Sequence, residues 1–414
     1  MMLLLMLYTA LVAWSAYNLY HPTYRPANIA TLSFLVGLAA GELALHVVFW
    51  GMWFVAFLVL FGGVWGPVGA LCFVVILLSW ATMVRFYVTG YGAGDVMEDA
   101  LQSALGSQYR DAIKPELAEK LGESIDENAL RHPFKLRDPD VDLIKNIPFG
   151  NFGQLLDIRR PRGDINNAPV LLQIHGGAWT EKMGSKNEQA LPLMNHMAKL
   201  GWVCVATSYR LSPTHTFPDH IIDIKECITW IKSHIADYGG RPDFIMLTGG
   251  SAGGHLTSLA ALTPNDPAFQ PGFEDVDTTV QGAVPFYGPK DFSDENGLQF
   301  NDGLREVLES SILKRSFSGN ETFYRSLSPM HRIHADAPPF LIIHGDSDTL
   351  VPVQEGQLFA ARLAEVSSAP VAWAEIPDAQ HAFDLVPSLR SERVKFGVAR
   401  FLAWNYSRHL ENTG

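Results

Sequence analysis

The first 84 residues of this chain carry just two charged side chains, Arg25 and Glu42. A segment of that kind has few folding options. In lipid every backbone N–H and C=O must be satisfied internally, and a helix does this within one segment. Residues 2–20 form one uncharged run, a second apolar stretch covers about 30–62, and a third covers 65–84 and stops at Arg85. A spanning helix takes roughly 20 apolar residues. The first and third runs each fit one span, whereas the middle stretch is long for one and short for two. Three spans are expected, with four as the alternative if the middle stretch breaks near Gly51. A cleaved signal peptide fits poorly, because a basic leading region is missing and further apolar runs follow.

Glu42 and His46 share a helix face within the middle stretch. A charge at the bilayer centre costs at least roughly 2.5–3.5 kcal/mol, so an interfacial or mutually paired couple is expected ahead of a polar intramembrane site. With three spans Arg25 and Arg85 face the same side, and the positive-inside rule makes that side cytoplasmic. With four spans the two arginines conflict.

Beyond the apolar region the chain is acidic, and its 414 residues sum to a net charge of −12. With neither a Lys/Arg block nor a basic aromatic stripe, nucleic acid is excluded as the expected partner. Cys72, Cys204 and Cys227 have no metal-ligand or disulfide spacing and are expected as buried free thiols. The expected organisation is a transmembrane helical region over 1–88, a helical connector or cap over 89–142, and a catalytic domain over 143–414.

From about residue 143 short apolar strands alternate with amphipathic helices. Strands are expected at 153–159, 169–175, 202–207, 244–248, 280–287, 339–345 and 371–376. Helices are expected at 187–200, 219–237, 252–262, 352–366 and 388–405. Alternation of this kind predicts a mostly parallel sheet with helices on both faces. About fifty residues separate the strand ending near Tyr287 from that starting near Pro339. They suit a cap at about 291–335, in which Phe292, Phe300, Phe317 and Phe323 either line an acyl pocket or pack the cap onto the body. The 97–121 helices are a second candidate cover.

Residues 244–262 read FIMLTGGSAGGHLTSLAAL, a strand, a tight turn and a helix. The turn Gly249-Gly250-Ser251-Ala252-Gly253 fits G-x-S-x-G, in which a sharp bend projects the serine hydroxyl above the sheet. A Cβ at Gly249 or Gly253 would clash with neighbouring backbone. The Walker lysine is missing, which argues against a phosphate loop. Upstream, the strand VLLQI runs into His175-Gly176-Gly177-Ala178-Trp179. Glycines there bring N–H groups close to a developing oxyanion, where one donor is worth roughly 2.7–4 kcal/mol. Gly176 and Gly177 are the expected donors, with the Ala252 amide as the other wall.

An acid and a histidine should follow such a serine in that order. The segment PFLIIHGDSDTLVPV offers Asp346 and Asp348, and IPDAQHAF places His381 in a loop before the last helix. An imidazole there takes the Ser251 proton and passes it to the leaving group. His344, His331, His334 and His220 lack such a context and read as structural. Ala178, Trp179, Gly250 and Tyr287 are candidate substrate contacts by their position beside these motifs.

Together these motifs resemble the hormone-sensitive-lipase-like branch of the α/β-hydrolase superfamily. The resemblance rests on Gly250-Ser251-Ala252-Gly253-Gly254, on the His175-Gly176-Gly177 loop and on Tyr209-Arg210-Leu211-Ser212-Pro213. The family pattern, with the acid three residues after the glycine of His344-Gly345, implies Asp348 rather than Asp346. The combined pattern is similar to actinobacterial membrane-anchored lipases and esterases, and it covers about residues 143–410. It implies an α/β-hydrolase fold, a Ser251–His381–Asp348 triad, a lipophilic ester as substrate and a bilayer as partner, with neither metal nor organic cofactor. Two departures stand out: Ala178 replaces the third glycine of the lipase-like loop, and Gly250 replaces the common acidic residue before the serine. His-Gly-Gly followed by a residue and Trp179 also resembles kynurenine-formamidase-like hydrolases, which keeps an amidase or acyltransferase open. A receptor or scaffold with a dead hydrolase module is the reading from another class.

Overall fold

The computed structural model describes residues 1–62, 64–135 and 137–413. Its core is one eight-stranded sheet: β1 (Val141–Phe149), β2 (Gln154–Pro161), β3 (Ala168–Ile174), β4 (Val203–Thr207), β5 (Gly240–Gly250), β6 (Gly282–Phe286), β7 (Phe340–Gly345) and β8 (Val371–Ile376). The spatial order is β1-β2-β4-β3-β5-β6-β7-β8. The β1–β2 and β2–β4 pairs are antiparallel, and every pair from β4 to β8 is parallel. β3 is buried throughout, and its residues alternate between the two faces. Val170, Leu172 and Ile174 join one core cluster while Leu171 joins the other, the period-2 pattern of a strand covered on both sides.

The expected strands recur, and β1 is an addition. Its residues VDLIKNIPF mix charge with apolar groups. It lies at the sheet edge, and its register shifts between Ile144 and Ile147, with Asn146 at φ 57°. A bulged edge strand loses the alternation that marks a strand in sequence.

Before the sheet come four apolar helices: α1 (Met2–Tyr20), α2 (Ala27–Glu42), α3 (Ala44–Gly62) and α4 (Pro67–Thr89). The middle stretch breaks at Leu43, not near Gly51. The Cβ-less Gly51 instead lets α3 pack against Tyr8 and Trp80. α1, α3 and α4 are long and apolar enough to cross a membrane, and α2 is shorter. Met1 lies against Gly62 at one end of the bundle, and Gly41 lies against Leu19 and Phe86 at the other.

Two expectations about the junction change. Glu42 and His46 do not pair. Glu42 is buried in an ion pair with Arg390 and accepts from Ser388 Oγ at 2.6 Å, while His46 contacts the Arg131 carbonyl. The last helix, Leu389–Thr413, supplies the Glu42 partner, so the carboxylate is buried against protein. Nor do residues 97–105 cover an entrance. α5 (Ala93–Leu105) places Met97, Ala100 and Leu101 in the core cluster beside the last helix, Leu389–Thr413.

The 291–335 segment is helical at Gly303–Val307, Glu321–Ser326 and Pro329–His331, with a wider turn at Leu308–Ile312. Its phenylalanines serve packing. Phe292 is buried, Phe317 and Phe323 lie half-buried against the same cluster, and Phe300 meets the Tyr24 ring of the N-terminal region at a 57° tilt. All three cysteines are buried and free.

Candidate active site

β5 ends in Gly249-Gly250 and the helix Ala252–Leu262 starts one residue after Ser251. Ser251 bridges them at φ 58°, ψ −123°. A non-glycine residue held there stores of order 1–3 kcal/mol of strain, which only surrounding structure can maintain. That support is visible in the glycines. A Cβ at Gly253 would sit 2.0 Å from the Ile174 carbonyl oxygen, and one at Gly249 2.6 Å from the carbonyl oxygens of both Gly253 and Ile174. The sequence needs glycine at both places to bring the elbow this close to β3.

The loops after β7 and β8 meet the elbow. His381 Nε2 lies 2.9 Å from Ser251 Oγ, and His381 Nδ1 lies 2.7 Å from Asp348 Oδ2. A carboxylate only accepts, so Nδ1 carries the proton and Nε2 is left to accept from the hydroxyl. Asp348 is fully buried, and its other oxygen accepts from the amides of Leu350 and Val351 at 2.8 and 2.9 Å. Burial alone would raise its pKa, but the His381 and His344 imidazoles outweigh that and hold the carboxyl below the usual carboxylate range. Asp346 faces elsewhere. It accepts from Ser347 Oγ, and burial raises it.

His344, read from sequence as structural, has a closer relation to the acid. Its Nε2 lies 3.1 Å from Asp348 Oδ2 and 3.1 Å from the Val351 carbonyl oxygen. Both neighbours are acceptors, so Nε2 donates, and two imidazoles serve one carboxylate. Gln380 joins the loops: its Oε1 accepts from the amides of Thr349 and His381.

The His175-Gly176-Gly177 loop lies beside Ser251. A Cβ at Gly176 would stand 3.1 Å from Ser251 Cβ and 2.5 Å from the Gly250 carbonyl oxygen. Gly177 adopts φ 110° and passes so close to Met183 that a side chain has no room. The Tyr209–Pro213 motif braces this loop. Tyr209 Oη donates to the His175 carbonyl at 2.9 Å, its ring stacks on His175 at 4.4 Å, and the Ser212 amide donates to the Trp179 carbonyl at 2.9 Å. Burial lowers the His175 imidazole to about 4, so it stays neutral and donates through Nδ1 to the Gly176 carbonyl.

Two expected contacts need correction. The Gly176 amide donates to the Gln189 side-chain oxygen at 2.5 Å, so it is engaged rather than presented. Its neighbour along the loop is Gly177, and across the site the Ala252 amide, first of its helix, has no intrahelical acceptor. Trp179 is 2% exposed and packs against Phe217, His255 and Phe292. Such burial in the aromatic core removes it from substrate contact. Ala178 remains partly exposed in the loop. Gly250 and Tyr287 lie behind the triad: Tyr287 lies against Gly250, 4.7 Å from the His381 ring, and its hydroxyl donates to half-buried Asp384.

One further group belongs to the site although it comes from the apolar N-terminal region. Phe34 of α2 meets the His381 ring edge-on, with centroids 5.8 Å apart. Among the described residues no cluster of His, Cys, Asp and Glu is arranged to hold a metal ion.

The BD-FAE family model matches residues 156–363. A probable carboxylic ester hydrolase of Mycobacterium tuberculosis, LipM, is 42% identical over 411 residues, covering 96% of this chain and 92% of that one. Esterase LipQ of the same organism is 41% identical over 331 residues, covering 77% and 76%. Among solved structures, a propionate-bound thermophilic esterase of Thermogutta terrifontis aligns with a TM-score of 0.52 at 26% identity, covering 68% of this chain and 97% of that one. Fold and relatives together define an enzyme class, the carboxylic ester hydrolases built on the α/β-hydrolase fold. Within it the chain belongs to the BD-FAE family. The likeness to LipM is too long to leave the apolar helices out, so helices and hydrolase body are shared as one unit.

Proposed function

We propose that this chain is a membrane-held serine esterase acting on esters with a lipophilic group, with Ser251 as nucleophile. The observation that carries this reading is the continuous Ser251–His381–Asp348 hydrogen-bond chain at a strained elbow. His381 Nε2 takes the proton as Ser251 Oγ bonds to the ester carbonyl carbon. The carbonyl oxygen becomes an oxyanion facing the Gly177 and Ala252 amides. When the carbon–oxygen bond to the alcohol breaks, His381 gives that proton to the departing oxygen. Water then repeats the sequence on the acyl-serine: its proton goes to His381, the serine–acyl bond breaks, and Ser251 recovers its proton as the carboxylic acid leaves. Asp348 stays ionised and holds the imidazole in the required tautomer. Because Trp179 is buried in the core, the feature shared with formamidase-like hydrolases gives no ground for preferring an amide substrate.

The membrane half of the reading rests on α1, α3 and α4. An odd number of spans puts Arg25 and Arg85 on the side of the hydrolase body, which favours the cytoplasmic face. The test pairs a fluorophosphonate probe with hydrolysis of p-nitrophenyl esters by the full chain in detergent. Wild type should label, and Ser251→Ala should lose labelling and roughly 10⁴–10⁶ in kcat while keeping its melting transition. Labelling that survives in the variant would exclude Ser251 as the nucleophile.

A further inference from the structure

α2 is the odd member of the N-terminal helices. At 16 residues it extends about 24 Å, short of the roughly 30 Å hydrocarbon core. Its contacts run along the catalytic loops. At its start, Asn301 Nδ2 donates to the Tyr24 carbonyl at 2.9 Å and the Tyr24 ring lies 4.6 Å from Phe300. One turn in, the Ala30 carbonyl accepts from Thr349 Oγ1 at 2.9 Å. Phe34 then meets His381, and Gly37 faces Gln380, where an added Cβ would stand 3.5 Å from the amide nitrogen. At its end Glu42 pairs with Arg390. Thr349 follows Asp348 and Gln380 precedes His381, so α2 touches the loops of both the acid and the base.

We infer that α2 is a wall of the active site rather than a membrane span, and that its Phe34 selects the alcohol portion of the ester. The inference rests on the serine-esterase reading. The geometry gives the side. His381 must reach the departing alcohol oxygen, so a group against that imidazole borders the alcohol, while the acyl carbonyl turns toward Gly177 and Ala252. The surroundings suit an apolar alcohol. Leu38, Leu350 and Leu385 are partly buried and pack on the same cluster as Phe34. The enzyme thereby takes a specificity element from the apolar region that holds it in lipid.

The experiment uses the full chain in detergent with Phe34→Ala and Phe34→Trp. One substrate series holds the acyl group as acetate and enlarges the alcohol from ethyl to naphthyl. A second holds the p-nitrophenyl group and lengthens the acyl chain. Phe34→Ala should raise the kcat/KM ratio of bulky to small alcohols about tenfold and Phe34→Trp should lower it, the size of change one or two methylenes produce in an apolar pocket. The ratio of long to short acyl chains should move less than about twofold. Alcohol ratios that stay fixed in both variants, or acyl ratios that move instead, overturn the assignment. Fluorophosphonate labelling separates this from failure of the underlying reading, since a wild-type protein that does not label would sink the esterase assignment itself.

Discussion

The hydrolase body and the N-terminal bundle solve the same problem in opposite ways. In the body large apolar residues point inward: every residue of β3, β4 and β6 is buried. In the bundle they point outward, with Leu60 77% exposed, Phe61 73% and Trp50 67%. The buried residues of α3 are instead Ala44, Gly51 and Leu58. Without water to drive burial, helices associate through small residues that let backbones approach. The first pattern suits water, and the second suits the lipid surroundings proposed for the bundle. α2 follows neither rule cleanly. Its buried Phe34, Gly37 and Glu42 meet the body, while Ser33 bonds Asn18 of α1, and its composition belongs to the bundle.

The comparison predicts that body residues govern rate and bundle residues govern selection or assembly. The largest effect on the body side, after Ser251, falls at Asp348. Asp348→Asn should keep the fold yet lower kcat roughly 10⁴-fold, because the amide can present N–H to His381 and leave the wrong tautomer. Asp346→Asn, at a residue that bonds Ser347 and the Asp378 backbone rather than His381, should stay within about tenfold. Steady-state kinetics on one ester decides the matter, and equal losses would mean that either carboxylate supports the imidazole.

A smaller effect tests whether α2 is part of the body. Arg390 is 1% exposed and Glu42 3%, and they join bundle to body across the whole chain. Glu42→Gln leaves the guanidinium buried without its counter-charge, which typically costs about 3–5 kcal/mol. The melting temperature of the full chain should fall accordingly, and Glu42→Leu with Arg390→Met should recover most of the loss. An unchanged melting curve for Glu42→Gln would make the bundle a detachable anchor and break the comparison.

What sequence could reveal here follows from how local each device is. The elbow is a five-residue turn whose glycines are dictated by clashes with the adjacent strand, so Ser251 was legible. His381 and Asp348 sit in short loops after strands, in fixed order behind it. Gln189, His344 and Phe34 were not legible. Each acts through a neighbour that only the folded sheet supplies, and a phenylalanine in an apolar run carries no mark that it will meet an imidazole. Glu42 was misjudged for the same reason: its partner lies on the last helix, and local sequence offered only His46. Trp179 shows the converse, a motif residue whose conspicuous position concealed an ordinary packing role.

The smallest effect concerns a buried carboxyl that lies wholly within the body. Glu355 accepts from the amides of Lys290 and Asp291 and from Gln299 Nε2 at 2.8 Å, fixing the chain where it enters the helical insertion. Burial, countered in part by those amides, raises its pKa to about 7, and burial lowers that of Lys290 to about 7. For Glu355 the folded value lies above the unfolded one. Its contribution is therefore fully present below the unfolded pKa of 4.5 and is lost as pH rises through 7. For Lys290 the shift is downward, so it disfavours folding below 7 and relents between 7 and its unfolded 10.5. The two windows do not overlap, which isolates Glu355 between pH 5 and 7. Over that range wild-type stability should fall relative to Glu355→Gln by an amount on the order of 1–3 kcal/mol, read by denaturant unfolding at each pH. Parallel curves for the two proteins would mean that Glu355 is already ionised at pH 5. The Lys290 and Asp291 amides would then suffice to hold an ionised Glu355 beneath the insertion, as the Leu350 and Val351 amides and the two imidazoles hold Asp348.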